Sequence, residues 1–178
     1  MYPEFLQPTD IEPFSIESKI VNIPKCIVKF SKWKGTPVKE TFGGKAIIEV
    51  DSKPMFAELA VMNYFLKNGW ETRWVETYGK KKPIYLAEWK DDKYRNQIHV
   101  PFQIIQIENM LEKIAIKNAN SYSGCWDIVS AKNGMILFAE LKRTNKDKIR
   151  LTQSNWLSAG LKCGLNSDNF LVVQWELE

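Results

Sequence analysis

The sequence predicts an α/β fold. Apolar residues recur at helical spacing in three stretches, with short β-branched and aromatic runs between them. Helical and strand stretches alternate through the middle and end of the chain, the pattern of an α/β domain. Asn133-Gly134 separates two apolar runs, the strongest short-range hairpin signal, because both residues tolerate the positive φ of a type I′ turn.

Each element has its own warrant. Residues 1–24 hold Pro3, Pro8, Pro13 and Pro24 and read as an extended arm or irregular lead-in. Residues 26–35 and 44–51 have strand character, with a turn at Gly43-Gly44. Pro54 suits the first position of a helix, and Asn68-Gly69 its end. A strand is expected over 71–79 and another over 83–89, with the basic run Lys80-Lys81-Lys82 between them and a solvated loop after them. Ile104, Ile107, Leu111 and Ile114 predict an amphipathic helix over 102–117, which Pro101 could start. After the hairpin, Gln153, Trp156, Leu157, Gly160 and Leu161 share one face of a helix that Gly164 ends. Residues 170–177 form a closing strand.

Composition narrows the function classes. The 178 residues suit one domain with its own core, and 44% are apolar. The net charge of +4 permits a nucleic-acid partner without identifying one. No apolar run approaches the roughly 20 residues that span a bilayer. The first ten residues lack the basic start and apolar stretch of a signal peptide. The expectation is a cytoplasmic protein without membrane partners. Cys26, Cys125 and Cys163 have no paired spacing and read as reduced, mostly buried thiols rather than a zinc site or disulfide framework. A single histidine, His99, and no nucleophile elbow argue against a Ser-His-Asp triad. Trp33, Trp70, Trp74 and Trp89 either stack on bases or pack in the core, and the core is the default reading.

The hairpin brings charged residues into register. With Asn133 and Gly134 as the turn, Lys132 faces Met135, and stepping outward Asp127 faces Glu140. Their Cβ atoms would then lie about 5 Å apart on one face. Lys142, two residues beyond Glu140, points to the same face. Two carboxylates between apolar neighbours require a shared proton or a cation between them. A divalent metal answers this directly, and Mg²⁺ suits carboxylate and carbonyl ligands. The alternative is a solvent-facing strand end with Lys142 in a salt bridge. Glu58 poses the same problem, since Pro54, Met55, Val61, Met62 and Phe65 surround it on a stripe that should face the core. It either joins a site or reaches water at the stripe's edge. Gln153 opens the second of the later helices, where backbone N–H groups favour anions.

"WDIV" (126–129) followed by "ELK" (140–142) resembles the bipartite motif of the PD-(D/E)XK nuclease superfamily. Glu58 matches the helical acidic residue that many members carry upstream. "LTQSNWLSAGLKCG" (151–164) resembles the Gln-x-x-Trp-Leu segment of the VRR-NUC branch. Gly124 and Asp127 match that branch's G-x-P-D pattern, with Trp126 in place of the proline. The resemblance covers about 54–178, with an insertion at about 80–120, and leaves 1–53 as an N-terminal arm and β extension. It implies a restriction-endonuclease-like αβββαβ core, a mixed central sheet flanked by helices with a helical insertion, in a single compact domain.

The resemblance implies metal-dependent hydrolysis of phosphodiester bonds. Asp127, Glu140 and the Leu141 backbone carbonyl would hold Mg²⁺, with Mn²⁺ as substitute, and Glu58 would ligate directly or through water. Lys142 would position or deprotonate the attacking water or neutralise the phosphate, and Gln153 would orient Lys142 or the phosphate. Arg143, Lys146, Lys148 and Arg150 form a basic loop suited to phosphate contacts. A DNA endonuclease is the leading expectation, with DNA favoured over RNA. A homodimer is compatible, because two cuts on opposite strands need two sites. The competing class is a catalytically inactive nucleic-acid-binding module on the same fold. A third reading makes the helix over 102–117 a docking surface for a protein partner.

Overall fold

The computed structural model of the chain describes residues 2–77 and 82–178. Lys80, Lys81 and the end of the strand expected over 71–79 lie outside the described residues. The fold is α/β, with a mixed open sheet flanked by helices. Among the described residues it has nine strands. In chain order they are β1 (Asp10–Ile16), β2 (Lys19–Lys32), β3 (Ile47–Val50), β4 (Lys53–Phe56), β5 (Glu71–Glu76), β6 (Ile84–Leu86), β7 (Ile128–Lys132), β8 (Met135–Arg143) and β9 (Phe170–Leu177). The helices are α1 (Ala57–Lys67), α2 (Ile105–Lys117) and α3 (Leu151–Lys162). No helix among the described residues is long and apolar enough to cross a membrane.

The sheet runs β4-β3-β2-β9-β8-β7-β5-β6, with β1 paired to β2. β9 lies parallel to both β2 and β8, while β7 is antiparallel to β8 and β5. Two cores result. α1 covers one face, packed with Val28, Phe56, Trp74 and Leu137. α2 and α3 cover the other with Val129, Phe138, Trp156 and Phe170. Helix α2 therefore buries Ile107, Leu111 and Ile114 in the protein's own core, not against a partner.

Three differences from the sequence expectations have physical causes. Residues 10–24 are a hairpin rather than an irregular lead-in. Phe14, Ile16, Val21 and Ile23 join the α2 and α3 core. Pro13 sits on edge strand β1, and Pro24 lies just before the first β2 residue that β9 pairs, so neither missing N–H interrupts a ladder. Pro54 belongs to strand β4, opposite Glu49, and α1 begins three residues later. Helix α2 begins at Ile105 rather than beside Pro101, because the Glu71 carboxylate accepts the N–H groups of Gln103 (2.5 Å) and Ile104 (2.9 Å) and caps the helix from β5.

The C-terminal half follows the sequence closely. Asn133 and Gly134 have φ of 51° and 79°, and Lys132 pairs with Met135. The ladder runs without a bulge to Ile128 opposite Ala139. Gly69 and Gly164, both at positive φ, follow the ends of α1 and α3. Trp70 and Trp74 are buried in the core, and Trp89 packs against it, so these three are not free to stack on bases.

Candidate active site

Strand period places the site. Along β8, Leu137, Ala139 and Leu141 face α1, while Ile136 and Phe138 face α2 and α3. Glu140 and Lys142 therefore point to the α3 side. Asp127 stands just before β7, one step beyond the last ladder pair, opposite Glu140. Its carbonyl accepts the Val75 N–H at 2.7 Å, and its Oδ2 accepts the Leu141 N–H at 2.9 Å. Because the N–H and C=O of one strand residue point to the same side, the Leu141 carbonyl also leans toward Asp127.

Gln153 closes the other side. It lies in the first turn of α3, where its Oε1 accepts the Arg150 N–H at 2.8 Å, one arm of a capping arrangement. The same Oε1 accepts from Lys142 Nζ at 3.0 Å, and Gln153 Nε2 donates to Glu140 Oε1 at 2.5 Å. Lys142 Nζ is 2.9 Å from Glu140 Oε1. Glu140, Lys142 and Gln153 thus form a closed triangle. Gly124 lets α3 sit this close. Its φ is +81°, and a Cβ there would lie 2.0 Å from the Thr152 carbonyl oxygen. Trp126 adds a second tie by donating its indole N–H to the Gln153 carbonyl at 3.3 Å.

Gly124, Asp127, Glu140, Leu141, Lys142 and Gln153 line a cleft of about 730 Å³. Glu58 reaches it from the first turn of α1, buried and ion-paired with Lys45. Arg143, Lys146 and Arg150 also line it, whereas the exposed Lys148 does not. The fold therefore gathers Glu58, Asp127, Glu140, Leu141, Lys142 and Gln153 around one opening. The sequence reading had not singled out Lys45. The available signal was its place directly after Gly43-Gly44 and before an apolar strand, but it stood among many lysines.

Burial governs the electrostatics. It pushes Asp127 up to about 6, helped by the Glu58 carboxylate and opposed by Lys45 and the Leu141 N–H. Glu140 is raised well above the usual carboxylate range by burial and then by Asp127, against the pull of Lys142. Glu140 Oε2 is buried without a hydrogen-bond partner among the described residues. Such an atom is costly unless something cationic or a proton satisfies it.

Two carboxylates, one with an unmatched oxygen, beside a strand carbonyl fit a hard divalent cation that keeps several waters. Among the described residues no three His, Cys, Asp or Glu side chains converge as a preformed cage. Glu58, the third carboxylate, is held by Lys45 instead. The three cysteines are unpaired thiols, with Cys26 and Cys125 buried. His99 accepts the Tyr85 N–H through Nδ1 at 3.1 Å and lies outside the cleft lining. No protein-family model, curated protein or solved structure matches this chain.

Proposed function

We propose that the protein is a metal-dependent nuclease of the PD-(D/E)XK type, most similar to the VRR-NUC branch, acting as an endonuclease on DNA. The observation that carries this reading is the pair Asp127 and Glu140, with the unmatched Glu140 Oε2 beside Lys142 and Gln153. A purely structural pair has no need of an acidic opposition this costly. The order α1, β5, β7, β8, α3, β9, with β6 and α2 inserted between β5 and β7, supports the restriction-endonuclease-like αβββαβ core.

The chain's own groups have distinct tasks. Asp127, Glu140 and the Leu141 carbonyl would hold Mg²⁺, and Glu58, which lines the same cleft and acts on Asp127, would take part once released by Lys45. Held there, the ion would supply the Lewis acidity needed to polarise a scissile phosphate and acidify an attacking water. Lys142, fixed by Glu140 and Gln153, directs an N–H at the water or the phosphate. Gln153 orients that lysine and reads Glu140 at once, so it is a positioning residue. Arg143, Lys146 and Arg150 hold the flanking phosphates along the cleft rim.

The test is cleavage of circular single-stranded and supercoiled double-stranded DNA with Mg²⁺ or Mn²⁺, against EDTA and the Glu140→Ala and Lys142→Ala variants. Nicking or linearisation that needs the metal and both residues is expected. DNA bound but never cut under any of these conditions would replace the enzyme with a binding module.

A further inference from the structure

The nuclease reading leaves Lys45 without a task, although it is a second lysine inside the cleft. Its ammonium is ion-paired with Glu58 Oε1 and lies 5.6 Å from the centre of the Trp74 ring. Glu58 is itself buried. Lys45 thus stands on the α1 side of the cleft, while Lys142 stands on the α3 side.

Lys45 follows a glycine turn that its own N–H closes onto the Thr41 carbonyl at 2.9 Å. Gly43 and Gly44 have φ of 78° and 83°, and a Cβ at either would meet nothing within 4 Å. On the other side, Ala46 and Ile47 pack against the core. The backbone is thus held on both sides, and it is the long side chain of Lys45 that can carry its ammonium between partners. Among the described residues, five carboxylates, Glu58, Glu76, Asp127, Glu140 and Asp147, line this cleft with three lysines and two arginines, and Glu58, Asp127 and Glu76 all act on Lys45. Lys142 is bound on two sides by Glu140 and Gln153, whereas Glu58 is the carboxylate that engages Lys45. A divalent ion drawn to Asp127 and Glu140 would compete for Glu58, because one carboxylate oxygen cannot serve both cations at full strength. The displaced ammonium would remain at the mouth of a cleft whose far rim carries Arg143, Lys146 and Arg150.

We propose that Lys45 is an exchangeable counter-ion. It competes with the divalent cation for Glu58 and, once displaced, binds a substrate phosphate. The inference rests on the nuclease reading of this cleft and assigns Lys45 to substrate positioning, not to the chemical step.

The two halves predict opposite signs. Mn²⁺ binding to the DNA-free protein is measured by titration calorimetry for wild type, Lys45→Met, Lys45→Arg, Glu58→Gln and the double variant Lys45→Met/Glu58→Gln. Lys45→Met should bind Mn²⁺ roughly three- to tenfold tighter than wild type. Lys45→Arg should stay near wild type, and the gain should vanish in the Glu58→Gln background. In Ca²⁺, Lys45→Met should bind DNA more weakly, with a salt slope lower by about 1. A merely structural lysine would weaken both ligands together. Mn²⁺ affinity unchanged or reduced in Lys45→Met overturns the proposal, as does unchanged DNA affinity. Absence of cleavage by the wild type, with the calorimetric pattern intact, would overturn the nuclease reading alone.

Discussion

At the scale of single residues, the site is built from groups held in unfavourable surroundings. Asp127 binds its proton more tightly in the folded protein than in the unfolded chain, where the ordinary value is 3.8. Between that value and about 6 the folded state carries more protons, so stability falls as pH rises, and the cost is complete above about 6. Glu140 acts in the same direction. Asp127→Asn keeps an oxygen for the Leu141 N–H and removes the charge. It should raise Tm by about 3–6 °C at pH 8 and by much less near pH 4, while abolishing cleavage. A lower Tm at pH 8 would mean that the carboxylate is stabilised by a partner. Because bound metal requires both carboxylates ionised, Mn²⁺ affinity should climb through about pH 6, where Asp127 loses its proton, and go on rising with pH for as long as Glu140 keeps its own.

At the scale of elements, the geometry of the candidate site depends on two junctions. One is the β7–β8 hairpin, whose register sets Asp127 against Glu140. The other is the contact of Gly124 with the first turn of α3, which brings Gln153 to Glu140 and Lys142. Gly124→Ala faces both a positive φ and a collision with the Thr152 carbonyl. It should lower Tm by about 5 °C or more and reduce cleavage, because α3 must shift and carry Gln153 away. Wild-type melting and wild-type activity together would show that α3 is not seated through Gly124. The insertion is fastened just as firmly. Arg73 of β5 donates to the carbonyls of Val100 (2.9 Å) and Pro101 (3.1 Å), and Glu71 caps α2.

At the scale of the whole molecule, the cleft opens at the end where β8 leaves the sheet, with Arg143, Lys146 and Arg150 among its lining. Replacing Arg143, Lys146 and Arg150 together with Ala should lower the salt slope of DNA binding by about 2 to 3, since each phosphate contact releases roughly 0.9 counterion. Lys148→Ala should leave the slope nearly unchanged, because Lys148 does not line the cleft. Equal effects from all four positions would mean that DNA follows the outer loop instead. The N-terminal residues matter at this scale too. β2 lies inside the sheet between β3 and β9, and Leu6, Cys26, Val28 and Phe30 belong to the α1 core.

The sequence alone determined the hairpin register, the extent of β9, the presence of α3 and its glycine end, and the face shared by Glu140 and Lys142, although α3 begins at Leu151, two residues before the expected Gln153. These rest on local rules: an Asn-Gly turn, a period of two, and a helix ended by glycine. Tertiary structure decided what local rules could not reach. Glu17-Ser18 and Asp51-Ser52 make two-residue turns at positive φ, although neither pair resembles Asn-Gly, because the strands they join are held in register by the cores beneath them. Pro13 and Pro24 could be strand residues only because the sheet leaves their missing N–H groups unneeded. Lys45 meets Glu58 across a break between two strands and a helix, a pairing that depends on how β3, β4 and α1 stack. Periodicity tells which face a side chain takes, but which distant group meets it there is a property of packing.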